Sequence, residues 1–193
     1  VKAMEWGLEG CLWRPLIVIA GPTAVGKSDL AVKLATWLSS KKQRKKFEIN
    51  GAEIISADSR QVYKEMDIGT AKPSREELRK IPHHLIDIVK PNQDFSVALY
   101  KKLALKKIKE IHKRKKIPFL VGGTGLYISA VVDNLEFPKI PPNRKLRNEL
   151  EEKSTKELFE IYKKLDPEGA KYIDKNNKRR LIRAIEVCKI SGI

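Results

Sequence analysis

At 193 residues, 41% of them hydrophobic, the chain is long enough to bury one core with room for a small appendage. No run approaches the ~18 apolar residues of a membrane span. The lead 1–14 lacks an apolar stretch with a small-residue cleavage site, and Cys11 and Cys188 match no metal spacing and read as reduced bystanders, so a soluble cytoplasmic protein is expected. Lys and Arg number 40 against 24 Asp and Glu, and the resulting +16 fits a polyanionic partner, nucleic acid first, or a lysine-rich surface with no ligand at all.

The first element is the apolar run Pro15 to Ala20, a strand, followed by Gly21-Pro-Thr-Ala-Val-Gly-Lys-Ser28, which fits G-x-x-x-x-G-K-[ST]. A helix then runs from Ser28 to about Leu38. Strand, glycine-rich loop and helix in that order are the context the motif requires. Backbone of the loop residues Gly21, Pro22, Thr23, Ala24, Val25 and Gly26 forms an anion nest, and the helix N-terminus and Lys27 add positive charge. The Ser28 hydroxyl is placed for Mg²⁺. Such a loop recognises a polyphosphate without specifying what it carries, so ATP, GTP, another diphosphate or a plain tight turn all stay open.

Next comes Ser39-Ser-Lys-Lys-Gln-Arg-Lys-Lys46, expected as a solvated loop. A short strand, 52–56, ends in Ala57-Asp58-Ser59. Ser74 with Glu77 is a capping box opening a short helix, and 82–89 is a strand or partial strand. From Ser96 to about Lys115, apolar Val97, Tyr100, Ala104, Ile108 and Ile111 recur at helical spacing. A third buried strand, 117–121, stops at Gly122-Gly-Thr-Gly125 before another helix. Strands alternating with helices of this length predict a P-loop NTPase-like α/β fold, a parallel sheet with helices on both faces. Ligands then collect at the carboxyl ends of the strands, so the loops 21–28, 58–61 and 122–125 are expected to converge.

Past Asn134 the texture changes. Residues 138–175 read as a small helical insertion with a second capping box at Ser154 and Glu157, and a last helix, 177–191, is expected to return to the 15–137 core. Arg179 and Arg183 share one of its faces at i and i+4.

Asp58, a carboxylate at a strand end beside a polyphosphate loop, is a metal ligand, a general base or a helix cap. Thr124, between glycines, contacts an anion or a leaving-group oxygen, or simply turns the chain before a helix. The absence of N-K-x-D argues against a GTPase, and Leu85-Ile-Asp87 is only an imperfect Walker B strand. His83 and His84 match no metal spacing.

Five blocks, Gly21-Pro-Thr-Ala-Val-Gly-Lys-Ser28, Ser56-Ala-Asp-Ser-Arg-Gln-Val-Tyr63, Met66-Asp-Ile-Gly-Thr-Ala-Lys-Pro73, Pro82-His-His-Leu-Ile-Asp87 and Leu120-Val-Gly-Gly-Thr-Gly-Leu-Tyr127, together resemble the tRNA dimethylallyltransferase (tRNA isopentenyltransferase) family. The resemblance implies transfer of a dimethylallyl group from dimethylallyl diphosphate to N6 of adenine 37 in the tRNA anticodon loop, by a monomer using Mg²⁺ at Ser28. It gives the loop Gly21 to Ser28, Lys27 included, to the donor's diphosphate, and makes Asp58 the base on the adenine amino group. Ser59, Arg60 and Gln61, together with Arg179, Arg180, Leu181, Ile182 and Arg183, are assigned by it to tRNA, and Thr124 and Arg147 to the substrates near the reaction centre. Three features depart from the family pattern: residues 41–50 are an insert, 1–14 have no counterpart, and family members continue well past Ile193. A nucleoside kinase using the loop for ATP, a prenyltransferase of free adenine nucleotides and a non-catalytic RNA-binding fragment are the alternatives.

Overall fold

The computed structural model describes residues 15–192; the expected extension 1–14, with Cys11, lies outside the described residues. The chain divides into two compact units at 136/137.

In the first unit, β1 (Ile17–Ala20), β2 (Ala52–Ser56), β3 (His83–His84) and β4 (Ile117–Gly122) form a parallel sheet in the order β1-β4-β2-β3. Register pairs Ile17 with Phe119 and Ile54 with the same Phe119, so β4 is hydrogen-bonded on both edges. Central parallel strands need apolar side chains on both faces, and the period-2 alternation supplies them. Ala52, Ile54, Phe119 and Val121 pack under α1 (Lys27–Leu38), which offers Ala31, Val32, Ala35 and Leu38. Ile55 and Leu120 face the other way, under α4 (Val97–Lys113) and α5 (Gly125–Val132). Burying each large side chain contributes about 1.5–3 kcal/mol, so these two apolar layers hold the strand ends in place.

One local expectation changes and another is sharpened. The lysine-rich segment after α1 is not a loop: α2 (Lys41–Phe47) is a helix whose N-cap, Ser40, accepts from Gln43 N–H, and Glu48 in a left-handed conformation closes it. Lysine, arginine and glutamine have good helix propensity, and here propensity with a cap outweighs like-charge repulsion. β3 covers only two residues of the expected 82–89, because Leu85 (φ 62°) and Asp87 (φ 55°) leave the extended region. Both capping boxes form, Ser74 heading α3 (Arg75–Lys80) and Ser154 heading α7 (Thr155–Leu165).

The second unit comprises α6 (Arg144–Glu151), α7, a short 3₁₀ turn (Gly169–Lys171) and α8 (Lys178–Ser191). Its core is Leu150, Leu158, Tyr162, Leu181, Ile182 and Ile185. The expected split at 175/176, with the last helix returning to the α/β core, is therefore corrected: the apolar face of α8 is filled by α6 and α7, and the unit runs from 137 through α8. A helix stripe at 3.6-residue period specifies that a face is buried, not which partner buries it.

Candidate active site

The loop after β1 begins with extended backbone and ends at Gly26, whose φ of 78° makes it a left-handed N-cap of α1. That conformation suits glycine and leaves the first amides of α1 facing the loop. The Lys27 ammonium donates to the Pro22 carbonyl, closing the loop on itself. Ser28, one residue into the helix, is exposed.

At the end of β2, Asp58 Oδ1 accepts from the N–H groups of Arg60 (2.8 Å) and Gln61 (3.4 Å), so part of the carboxylate serves as a turn cap. Oδ2 accepts no hydrogen bond from the described residues and is left for chemistry. Next to it Ser59 N–H donates to Thr124 Oγ1 at 3.0 Å, and the Thr124 hydroxyl donates to Ser59 Oγ at 3.3 Å. Thr124 N–H in turn donates to Ala57 O. Thr124 thus ties the end of β4 to the end of β2. This close approach requires Gly122, where a Cβ would lie 2.2 Å from Ala57 O.

These three strand ends do converge. A cleft of about 480 Å³ is lined by Lys27, Ser28, Asp58, Arg60, Thr70 and Gly123 among others. Residues 61–73 contribute a further wall, through Gln61 and Gly69 to Pro73. Gln61, expected on tRNA, is buried, and its amide is committed: Oε1 accepts from Ser56 Oγ (2.8 Å) and Nε2 donates to Thr70 O (3.1 Å) and Ala71 O (2.9 Å). Its side chain is thus a brace of the wall. Lys72 is a second brace, its ammonium on Tyr63 O (2.9 Å), Asp67 (2.7 Å) and Asp87 (2.5 Å). Burial lowers its pKa, but the two carboxylates outweigh that and raise it. The wall needs bracing, because Glu65 and Ala71 adopt positive φ without being glycine.

Behind Asp58, Tyr127 stacks on Tyr100 with centroids 4.0 Å apart, and Tyr100 donates to Ser56 O. Burial, with Tyr63 and Asp58 nearby, pushes the Tyr127 phenol up to about 12, so it stays neutral beside the carboxylate. Helical spacing on α5 alone reads Tyr127 as one more core position.

The remaining expected contacts belong to the second unit. Glu186 is fully buried on α8 and takes both oxygens' worth of donors: Arg147 Nε to Oε1 at 2.8 Å, Arg147 Nη2 to Oε2 at 2.7 Å, the Asn143 N–H at 2.6 Å, and Arg183. Burial raises its pKa, but Arg147, Arg183 and Asn143 overcome that and hold it at about 2. Arg147, expected on the substrates, and Arg183, expected on tRNA, are here partners of a buried carboxylate. Leu181 and Ile182, expected on tRNA, are core side chains at 0% and 4% exposure. Arg179 and Arg180 are exposed at the start of α8. The sequence signal for Glu186 was available only as an acid on an otherwise apolar face.

Among the described residues no cluster of His, Cys, Asp or Glu is arranged to hold a metal by itself, and no helix is long and apolar enough to cross a membrane.

The IPP transferase family model matches residues 61–193. The chain is 51% identical over 183 residues to a tRNA dimethylallyltransferase of Finegoldia magna, covering 93% of this chain and 54% of that protein. Among solved structures it is similar to the full-length tRNA isopentenylpyrophosphate transferase of Bacillus halodurans (44% identity, TM-score 0.58, 93% of this chain and 57% of that one). It is also similar to a eukaryotic dimethylallyltransferase acting on tRNA (32% identity, TM-score 0.73, 94% and 43%). The chain spans about half the length of the curated relatives it matches.

Proposed function

The chain belongs to the IPP transferase family, and on that premise we propose that its cleft transfers a dimethylallyl group from dimethylallyl diphosphate to N6 of adenine 37 in tRNA. The observation that carries this reading is the convergence of an anion-binding loop and a half-open carboxylate in one cleft. The loop Gly21 to Ser28 takes the diphosphate: its amides and the helix N-terminus offer partial positive charge, and Lys27 exchanges its Pro22 carbonyl for a phosphate oxygen. Adenine N6 is a weak nucleophile because its lone pair is delocalised into the ring. Asp58 Oδ2 accepts a proton from N6 as the N–C bond to the allylic carbon forms, the C–O bond breaks and pyrophosphate leaves. The Oδ1 cap keeps the carboxylate aimed into the cleft. A base must leave its stack to reach such a pocket, and exposed Arg60 is a cation for the flanking backbone.

The residues present suit Mg²⁺, which takes few protein ligands and completes its shell with water and substrate phosphate oxygens. Ser28, on the lining of the cleft, would hold it, and when bound it neutralises charge on the departing diphosphate.

The test is incubation of the chain with dimethylallyl diphosphate, Mg²⁺ and unmodified tRNA, followed by mass spectrometry of the nucleosides. Prenylated adenosine from the wild type, lost in Asp58→Ala, is the expected result. Equal product from Asp58→Ala removes that residue as the base. RNA binding without product leaves a binding fragment, and ATP consumption with a phosphorylated acceptor makes it a kinase.

A further inference from the structure

The cleft lies at the carboxyl ends of the strands, yet the densest positive charge of the first unit lies elsewhere. α2 carries Lys41, Lys42, Arg44, Lys45 and Lys46 in seven residues with no acid among them, all exposed. Their side chains form no ion pair with a described residue. Ser39 Oγ accepts from Ala52 N–H, anchoring the start of this segment to the amino end of β2. Just beyond α2, Asn50 N–H donates to Lys115 O at 2.7 Å and Asn50 Nδ2 to Arg114 O at 3.0 Å. That brings the insert against a second cationic run, Lys113 to Lys116, at the turn into β4. Arg114 and Lys116 are taken up by the buried Glu53, whereas Lys113 and Lys115 are exposed. Two segments 64 residues apart in the chain therefore pool their charge at the amino ends of the strands, with α1, of 12 residues or about 18 Å, separating them from the phosphate loop.

We propose that this face, α2 together with Lys113 and Lys115, is a second RNA-binding surface that grips phosphodiester backbone outside the cleft. Lys41 and Lys45, and Lys42 and Lys46, sit at i and i+4, where like charges destabilise a helix. The packing of α2 offsets little of this: Gln43 is its buried residue, and Gln43 Oε1 has no hydrogen-bond partner. A polyanion lying across the helix relieves the repulsion and releases its own counterions. Beside the cations, Trp37 (51% exposed) and Phe47 (45% exposed) form a tilted ring pair 6.3 Å apart, with Lys46 over the Phe47 ring. Exposed rings between cations suit unpaired bases as well as backbone. An anionic membrane is the other polyanion. α2 lacks the continuous apolar face that inserts between acyl chains, its one apolar residue being Phe47, and this favours RNA.

The surface does not depend on prenyl transfer, so the probe is a short RNA duplex with no loop and no adenine that can enter the cleft. Its binding to the 193-residue chain is measured by fluorescence anisotropy across a salt series, for the wild type and for Lys41→Gln/Lys42→Gln/Lys45→Gln/Lys46→Gln. A Lys113→Gln/Lys115→Gln variant provides an independent check. The quadruple variant is expected to bind at least about tenfold more weakly at low salt, with the slope of log affinity against log salt shallower by about 2 to 3. Removing like charges from α2 leaves the melting temperature equal or higher, and pyrophosphate binding in the cleft is unchanged. The proposal is overturned if the wild type does not bind the duplex, or if both variants keep wild-type affinity and slope. It is equally overturned if the substitutions abolish binding to phosphatidylserine vesicles while RNA binding persists.

Discussion

Asp58 and Glu186 are both carboxylates beside cations, yet the two units use them in opposite ways. At the cleft, Asp58 commits one oxygen to the Arg60 and Gln61 amides and leaves the other open. In the helical unit, Glu186 has no exposure and both its oxygens accept from Arg147, Arg183 or Asn143. A half-satisfied carboxylate at a cleft is available to accept a proton, whereas a saturated buried one can only hold structure. The difference separates two kinds of arginine as well: Arg60 is exposed on the cleft, and Arg147 and Arg183 pair with Glu186.

The largest effect should come from the open carboxylate. Asp58→Ala is expected to lower prenyl transfer by about 10²- to 10⁴-fold, while the lost cap costs only about 1 kcal/mol of stability. A variant that unfolds as well as losing activity would break the contrast. Glu186→Ala should do the reverse. It leaves two guanidiniums without their partner, at a cost of about 2–3 kcal/mol because both arginines are partly solvated. The tryptophans, Trp6, Trp13 and Trp37, all precede the helical unit. The loss should therefore appear in circular dichroism melting before it appears in tryptophan fluorescence.

A smaller effect follows from pH. Glu53, on β2, is buried, which raises its pKa, but Lys116, Arg114 and His84 more than compensate and hold it at about 2. Its folded value lies below its unfolded one, so its contribution is fully present above about pH 4.5 and drains away as pH falls from there towards 2. That contribution is about 2 kcal/mol after allowing for the exposed part of Arg114. Glu53→Gln should flatten the acid limb of the fluorescence-monitored transition; an unchanged limb would remove Glu53 as its source. The smallest change tests the wall of the cleft. Lys72→Met should cost about 1 kcal/mol of stability and yet raise the KM for the prenyl donor, since the freed 61–73 segment no longer holds one shape. Unaltered kinetics would make Lys72 a purely structural clasp.

The α/β half of the molecule was legible in the sequence because its signals are local. Gly21 to Ser28 between a strand and a helix, Ser74 with Glu77, and the apolar spacing from Val97 to Ile111 each specify geometry within a few residues. The strand-end convergence followed from the rule for parallel sheets. What escaped was long-range. Nothing near Gln61 announces that Ser56, Thr70 and Ala71 will consume its amide. Nor does the 3.6-residue stripe of α8 say that α6 and α7 fill it; the assignment of Leu181, Ile182 and Arg183 to tRNA comes from the family resemblance and not from that stripe. The lysine run after α1 failed for another reason: charge suggests solvent, and solvent-facing segments are as easily helical as not.

The approach of Gly122 to Ala57 fixes how far the site can be reshaped. With backbone against backbone there, position 122 has no side chain to trim and no room to add one. Substitutions meant to reshape the cleft must therefore spare Gly122 and act on other lining residues, such as Ile54, Val121 or Thr70 to Pro73. The floor under Asp58 and Thr124 sets a fixed gauge against which any new donor has to fit.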